Sequence, residues 1–260
     1  MTKPADISVR NLEKRFSLDR PKVLDGISID FMPGKLTYVL GPSGTGKSVL
    51  IKHILGLLRP DQGQVIVDGV EVASLSGRDL VAYRMKLGML FQSSALFDNM
   101  TVFENVAFPL VEHTTLSPKE IKEKVESSLT ILGMPDGHDK FPDELSGGMK
   151  KRVGLARAIV REPSILLYDE PTTGLDPVTR TTVDDLIAQL KRDLKLTSIV
   201  ISHDIQSAIE LADRIVFLFE GKVAFDGNSE SFIQSNHVQI KAFLDAERRS
   251  ANAFSRIGKQ

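Results

Sequence analysis

Gly41-Pro-Ser-Gly-Thr-Gly-Lys-Ser48 decides the fold of this chain. The octapeptide fits G-x-x-x-x-G-K-S/T. It follows the apolar run Leu36-Thr-Tyr-Val-Leu40 and opens the helical pattern Val49-Leu-Ile-Lys-His-Ile-Leu55, which together are the strand, loop and helix of a P-loop. The glycines let the backbone fold into a nest of inward-pointing N–H groups, and the helix adds its positive N-terminal end. Gly41, Pro42, Ser43, Gly44, Thr45 and Gly46 therefore read as a phosphate cradle. Lys47 is expected to reach the β- and γ-phosphates and Ser48 to ligate Mg²⁺.

Strand signals surround this loop. Upstream, Ile7-Ser-Val-Arg10 and Val23-Leu-Asp-Gly-Ile-Ser-Ile-Asp-Phe31 alternate between apolar and polar residues. Downstream, Gln64-Val-Ile-Val67 and Val70-Glu-Val72 flank Asp68-Gly69 as a hairpin, so a small antiparallel sheet is predicted beside the P-loop. An amphipathic stretch from Ser76 to Lys86 leads into a core strand, Leu87-Gly-Met-Leu-Phe91, that ends on Gln92. Strand character then stops until about Arg161. Thr101-Val-Phe-Glu104 and Ser117-Pro-Lys-Glu120 both have the capping-box pattern, the second with proline at the first helical position, so a helical insertion is expected. Strands return at Ser164-Ile-Leu-Leu-Tyr-Asp169 and Thr197-Ser-Ile-Val-Ile-Ser202 with a helix opening at Asp176-Pro177 between them, and Arg214–Phe219 with Lys222–Phe225 form a closing hairpin. This βαβ alternation predicts an α/β fold with a mostly parallel sheet. The expected organisation is one domain over 1–236: a P-loop NTPase core and β subdomain from 1–91 and 162–236, and an α-helical subdomain over 92–161. An extension follows over 237–260.

Four apolar residues run into two carboxylates at Ile165-Leu-Leu-Tyr-Asp169-Glu170. Ligands of such sheets bind beyond the carboxyl ends of the strands. Asp169 is therefore expected near the P-loop metal, and Glu170 near the terminal phosphate, where it orients or deprotonates the attacking water. At Leu145-Ser-Gly-Gly-Met149 a serine and two glycines precede a helix with Val153, Ala156, Ile159 and Val160 on one face. Backbone N–H groups, the Ser146 hydroxyl and the helix dipole converge there as a second anion site. One nucleotide already has its phosphates wrapped by the P-loop, so the second site is expected to serve a nucleotide held by another subunit.

The P-loop, Gln92, Leu145-Ser-Gly-Gly-Met149, Tyr168-Asp-Glu170, Thr173-Gly-Leu-Asp176 and His203 together resemble the ordered motifs of an ABC transporter ATPase, over about Ile7 to Gln234. The resemblance implies a RecA-like core and a head-to-tail dimer. Two ATP are sandwiched there between the P-loop of one copy and Ser146, Gly147 and Gly148 of the other. It further implies that Gln92 senses Mg²⁺ and the water, that Asp176 lies in the loop crossing the dimer interface, that His203 contacts the γ-phosphate, and that Phe16 stacks on adenine. Read from the residues alone, Phe16 is either that platform or a buried core aromatic. Met149 stands where most of the family has glutamine, and it cannot donate a hydrogen bond. Met149, Lys150-Lys-Arg-Val153 and the stretches from Phe91 to Asp98 and Val102 to Leu110 resemble the branch serving Mla-type phospholipid transporters. That branch works with an integral membrane permease, a lipid-binding protein of the mammalian-cell-entry class and small accessory subunits, peripheral on the cytoplasmic face of the inner membrane.

Composition bounds the alternatives. The 260 residues carry a formal charge of -1 and no cysteine, which argues against binding nucleic acid by bulk electrostatics, local basic patches aside, and excludes thiolate metal sites and a cysteine nucleophile. No apolar run approaches bilayer length, so membrane work is expected to rest on other chains. A soluble ABC ATPase acting on ribosomes or DNA is the competing reading, but such proteins usually carry paired ATPase domains or a long coiled-coil insertion. In the tail, Ile240, Phe243 and Leu244 have helical spacing, and Arg248 to Gln260 is expected to contact another subunit.

Overall fold

The protein is described over residues 3–245 by a computed structural model. Strands β1 (Ile7–Lys14), β2 (Leu24–Phe31), β3 (Leu36–Leu40) and helix α1 (Lys47–Ile54) open the chain. Strands β4 (Gln62–Val67) and β5 (Val70–Glu71), helix α2 (Gly77–Arg84) and strand β6 (Leu87–Leu90) follow. Three helices come next, α3 (Val102–His113), α4 (Pro118–Ile131) and α5 (Gly147–Ile159). The chain then runs β7 (Ile165–Asp169), α6 (Pro177–Leu194), β8 (Thr197–Ile201), α7 (Ile205–Leu211), β9 (Arg214–Phe219), β10 (Lys222–Gly227) and α8 (Ser229–Ile233).

Two sheets result. The larger has the order β10-β9-β3-β8-β7-β6, and every neighbouring pair in it is parallel except β9 with β10. The smaller, β2-β1-β4-β5, is antiparallel throughout. The parallel strands β3, β7 and β8 are buried along almost their whole length because both of their faces are covered, whereas burial alternates along β1 and β2, as in sheets with one wet face. One face of the large sheet, through Tyr38, Leu40, Leu166 and Tyr168, shares a core with α3, α4, α5 and α6. The other face, through Val39, Leu167 and Ile199, packs with α1 against the antiparallel sheet. The P-loop thus lies at the seam of two hydrophobic cores.

The helix starts follow their caps. Thr101 Oγ1 accepts from Glu104 N at 3.2 Å while Glu104 Oε2 accepts from Thr101 N at 2.7 Å, and Ser117 with Glu120 repeats the arrangement. Asp176 caps α6 through Val178 N and Thr179 N. Some boundaries differ from the sequence-based expectation. Helix α1 begins at Lys47 rather than Val49, because Lys47 and Ser48 form its first turn on Gly46. Strand β1 continues to Lys14 through register shifts. Val72 leaves the hairpin for a 3₁₀ turn in which its side chain is buried.

After α8 a helical segment spans 238–245. Ile240 and Leu244 are buried there, and Phe243 sets its ring edge-on to Phe217 at 5.5 Å. This part of the tail packs on the large sheet of its own chain. The contact expected from Arg248 to Gln260 lies outside the described residues.

Candidate functional site

The cradle begins where β3 ends. Gly41 sits at φ +148° and a Cβ there would lie 2.2 Å from the carbonyl oxygen of Leu218, so the loop can leave the sheet only through glycine. Gly46 is at φ +97°, with Val23 O 2.7 Å from where its Cβ would fall. Thr45 Oγ1 donates to Pro42 O at 2.9 Å. Lys47 is 7% exposed and folds back inside the loop, its Nζ donating to Gly41 O at 2.6 Å and Pro42 O at 3.0 Å. Burial lowers the Lys47 pKa, opposed by the carboxylates of Glu170 and Asp169. A cation held on neutral carbonyls at a helix N-terminus is poised to exchange them for anionic oxygens, which make stronger charge-assisted bonds.

Asp169 ends β7 and Glu170 follows it, beside the carboxyl end of β8. Ser48 Oγ stands 3.5 Å from Asp169 Oδ1, longer than an ordinary hydroxyl-to-carboxylate bond. Burial raises the Asp169 pKa, and the neighbouring Glu170 adds to the rise; a cation beside it would reverse that. Glu170 adopts φ +49°, a left-handed conformation that costs a non-glycine residue about 1–2 kcal/mol. Its N–H donates to Ile201 O at 2.9 Å, so pairing with the end of β8 holds the strained residue in place. Glu170 Oε2 accepts from Thr173 Oγ1 at 2.9 Å and meets His203 Nδ1 at 2.7 Å. Glu170 Oε1 has no protein hydrogen-bond partner among the described residues. One oxygen is thereby fixed and the other left open.

A cavity of about 460 Å³ brings together Phe16, Lys47, Ser48, Gln92, Glu170 and His203, a volume in the range of small-molecule sites. Ser43 and Gly44 also line it. Phe16 is 60% exposed, with Lys14 Nζ 5.8 Å from its ring centroid, so the buried-core alternative for this residue is wrong. Its free face is turned to solvent as a stacking platform would be.

Ser146, Gly147, Gly148 and Asp176 do not line that cavity; they form a second group. A Cβ on Gly147 would lie 3.6 Å from Leu175 Cδ2, and one on Gly148 3.1 Å from Thr179 Cγ2, so the start of α5 abuts the start of α6. Ser146 Oγ accepts from Met149 N at 3.3 Å. The Asp176 carboxylate is held below the usual range, first by the Thr179 hydroxyl and then by backbone N–H groups. Met149 is partly buried and packs against the core shared by α3, α4, α5 and α6.

Sequence reasoning missed Thr173 as the group that fixes Glu170, although it lies in a stretch already singled out. It also missed Asn105, which is fully buried and clamps the segment after Gln92: its Oδ1 accepts from Phe97 N, and its Nδ2 donates to the carbonyls of Phe97, Met100 and Thr101. A polar residue on the apolar stripe of α3 was the available signal.

The donors present suit Mg²⁺. Ser48 and Asp169 offer hard oxygen ligands, and among the described residues no cluster of three or more His, Cys, Asp or Glu forms a cage. Magnesium is characteristically held by one or two protein oxygens, with water and phosphate completing its shell.

Residues 24–173 match the family model described as ABC transporter. The "Intermembrane phospholipid transport system ATP-binding protein MlaF" of Haemophilus influenzae is 41% identical over 241 residues, covering 93% of this chain and 90% of that protein. The "Probable ribonucleotide transport ATP-binding protein mkl" of Mycobacterium leprae is 38% identical over 242 residues, covering 93% and 69% respectively. Among solved structures, the dimeric post-hydrolysis state of the ATP-binding cassette MJ0796 bound to ADP and Pi superposes with a TM-score of 0.77 at 29% identity, covering 86% of this chain and 98% of that one.

Proposed function

The chain belongs to the ABC transporter ATPase family, and from that premise we propose how its residues divide the work and what it moves. It is an ATP-binding and ATP-hydrolysing motor subunit coupled to transport. Phospholipid is the cargo the proposal names, supported by the likeness to the MlaF protein. Among the described residues no helix is long and apolar enough to cross a membrane, so the lipid path belongs to a separate integral membrane permease. The same reading places the subunit on the cytoplasmic face of the inner membrane, with an MCE-type lipid-binding protein and small accessory subunits in the assembly. The proposed parts are the core and β subdomain over 1–91 and 162–236, the helical subdomain over 92–161 and the extension over 237–260.

The observation that carries the catalytic reading is the fixed carboxylate: Glu170 Oε2 is tied by Thr173 and His203 while Oε1 is free. ATP lays its base on Phe16 and its phosphates in the loop from Gly41 to Ser48, with Lys47 turned onto the β- and γ-oxygens. Ser48, Asp169 and Gln92 would hold Mg²⁺, which would supply charge neutralisation to the phosphates. Glu170 Oε1 accepts the proton of the attacking water, and His203 holds Glu170 through Nδ1 while Nε2 faces the γ-phosphate. Ser146, Gly147 and Gly148 stand outside this cavity, so the γ-phosphate receives their donors from a second copy arranged head to tail, with Asp176 in the joint.

Glu170→Gln is the test. The amide keeps the shape and the Thr173 bond but accepts no proton, and removing a general base costs about 10²–10⁴-fold in rate. ATP should bind normally and lock the variant as a dimer, seen by size-exclusion chromatography with light scattering. Hydrolysis near the wild-type rate would remove Glu170 from the role of base.

A further inference from the structure

We infer that Lys151 and Arg157 are positioning residues that fasten the Gln92 loop to helix α5, so that the helix carrying Ser146 at its start also sets where Gln92 stands. The inference rests on the ATPase reading and adds a physical link between the two groups of site residues within one chain.

The link is made of one buried and one partly buried cation, both bonded to backbone. Lys151 is 4% exposed and donates from Nζ to the carbonyl oxygen of Gln92 at 2.6 Å. Arg157, less than two turns further along α5, donates from Nη2 to Ser94 O and from Nη1 to Ala95 O, both at 2.7 Å. Burial lowers the pKa of both cations, so each is held at an electrostatic cost with no carboxylate partner among the described residues. A charge buried without a counter-ion is retained where its hydrogen bonds matter. Between them, Gly154 lets the loop press on the helix, since a Cβ there would lie 2.9 Å from Leu90 Cδ1 and 3.3 Å from Ser94 Cβ.

The loop needs such holding. Ser94 and Ala95 adopt φ +62° and +44° in succession, a left-handed pair that non-glycine residues seldom keep unaided. Asn105 fixes the far end of the segment through Phe97, Met100 and Thr101. The near end is fixed by the two cations of α5. Gln92 itself is exposed and its side chain lines the nucleotide cavity. Its peptide plane is therefore the anchored part and its amide the free part, and a displacement of α5 reaches Lys47, Ser48 and Glu170 through the Gln92 carbonyl.

The experiment uses the full chain with Lys151→Met, Lys151→Arg and Arg152→Met. Met keeps the length and removes the donor. Arg152 donates to Leu132 O at 2.6 Å, so it ties α5 to the end of α4 rather than to the loop and serves as the control. Lys151→Met is expected to lower kcat about tenfold with KM for ATP within twofold, and to speed hydrogen exchange of the amides of 92–96 at least tenfold, read by mass spectrometry without nucleotide. Lys151→Arg should restore half or more of kcat and the slow exchange. Arg152→Met should lower Tm while leaving both readouts unchanged. Wild-type kcat in Lys151→Met, or equal exchange changes in Arg152→Met, overturns the inference. Should Lys151→Met fail to fold, slow exchange at 92–96 in Lys151→Leu, which also lacks the donor, decides against the link in the same way. An inactive wild-type protein would instead strike the ATPase reading itself.

Discussion

Asp184→Asn should stabilise the protein at neutral pH and do nothing for it in acid. Asp184 lies on α6, where its Oδ2 accepts from Ser207 Oγ on α7 at 2.6 Å and its Oδ1 is buried with no partner. The hydroxyl of Tyr38 is likewise buried without a partner. Burial first, and then the charges of Asp204 and Glu210, push the Asp184 carboxyl up from 3.8 to about 6, with the Ser207 hydroxyl and Arg180 acting against the rise. A group whose folded pKa lies above its unfolded value binds more protons in the folded state between the two. Stability contributed by Asp184 is therefore present below about pH 4 and lost as pH rises to about 6. At about 1.4 kcal/mol per pH unit, the span corresponds to roughly 3 kcal/mol. Asp184 is only partly buried and its ionised form strengthens the Ser207 bond, so the net gain for Asn at pH 7.5 is set at about 1–2 kcal/mol. For a chain of this size that is about 2–8 °C in Tm. Thermal melts of both proteins from pH 4 to 8, followed by circular dichroism, give the difference directly. A variant that melts below wild type at pH 7.5, by a margin that does not vary with pH, would refute the reasoning.

Two further outcomes follow from the same geometry. Because Ser146 stands apart from the cavity holding Lys47, mixing Ser146→Arg chains with Lys47→Ala chains should yield mixed dimers that occlude one ATP, measured by retention of labelled nucleotide after rapid gel filtration; no retention where wild type retains ATP counts against the head-to-tail pairing. Leu244→Ala, which opens a hole beneath the helical segment on Phe217, should cost about 2–3 kcal/mol in urea unfolding, and an unchanged midpoint would show that the segment does not belong to the core.

The fold was legible where backbone chemistry and periodicity agreed. The strand, helix, strand alternation of β7, α6 and β8 and the apolar-polar alternation at β1 and β2 separated the parallel sheet from the antiparallel one, and Thr101, Ser117, Ser146 and Asp176 marked their helices by caps that require those residue types. What stayed hidden was tertiary. Nothing in Ile7-Ser-Val-Arg10 announces that β1 continues to Lys14, since the continuation depends on register shifts against β2 and β4. The turn at Val72 is equally silent, because a buried valine fits a strand and a 3₁₀ turn alike.

The site divides along the same line. Residues proposed to act through their own type at a fixed spacing, such as Gly41, Lys47, Ser48, Asp169 and Glu170, stand out in the sequence because phosphate, cation and water would each demand one kind of group. Residues that act on backbone were not. Lys151 and Arg157 look on paper like the solvated basic side chains of an ordinary helix, yet both end on carbonyl oxygens of the loop after Gln92. A carbonyl is present at every position, so no sequence pattern records which one is held. The strain at Glu170 has the same character: φ +49° at a glutamate is imposed by its pairing with Ile201, a residue more than thirty positions away. The proposed base is thereby held by the neighbouring strand rather than by its own local sequence alone, and β8 delivers both that restraint and, two residues beyond its end, the His203 whose Nδ1 meets the Glu170 carboxylate.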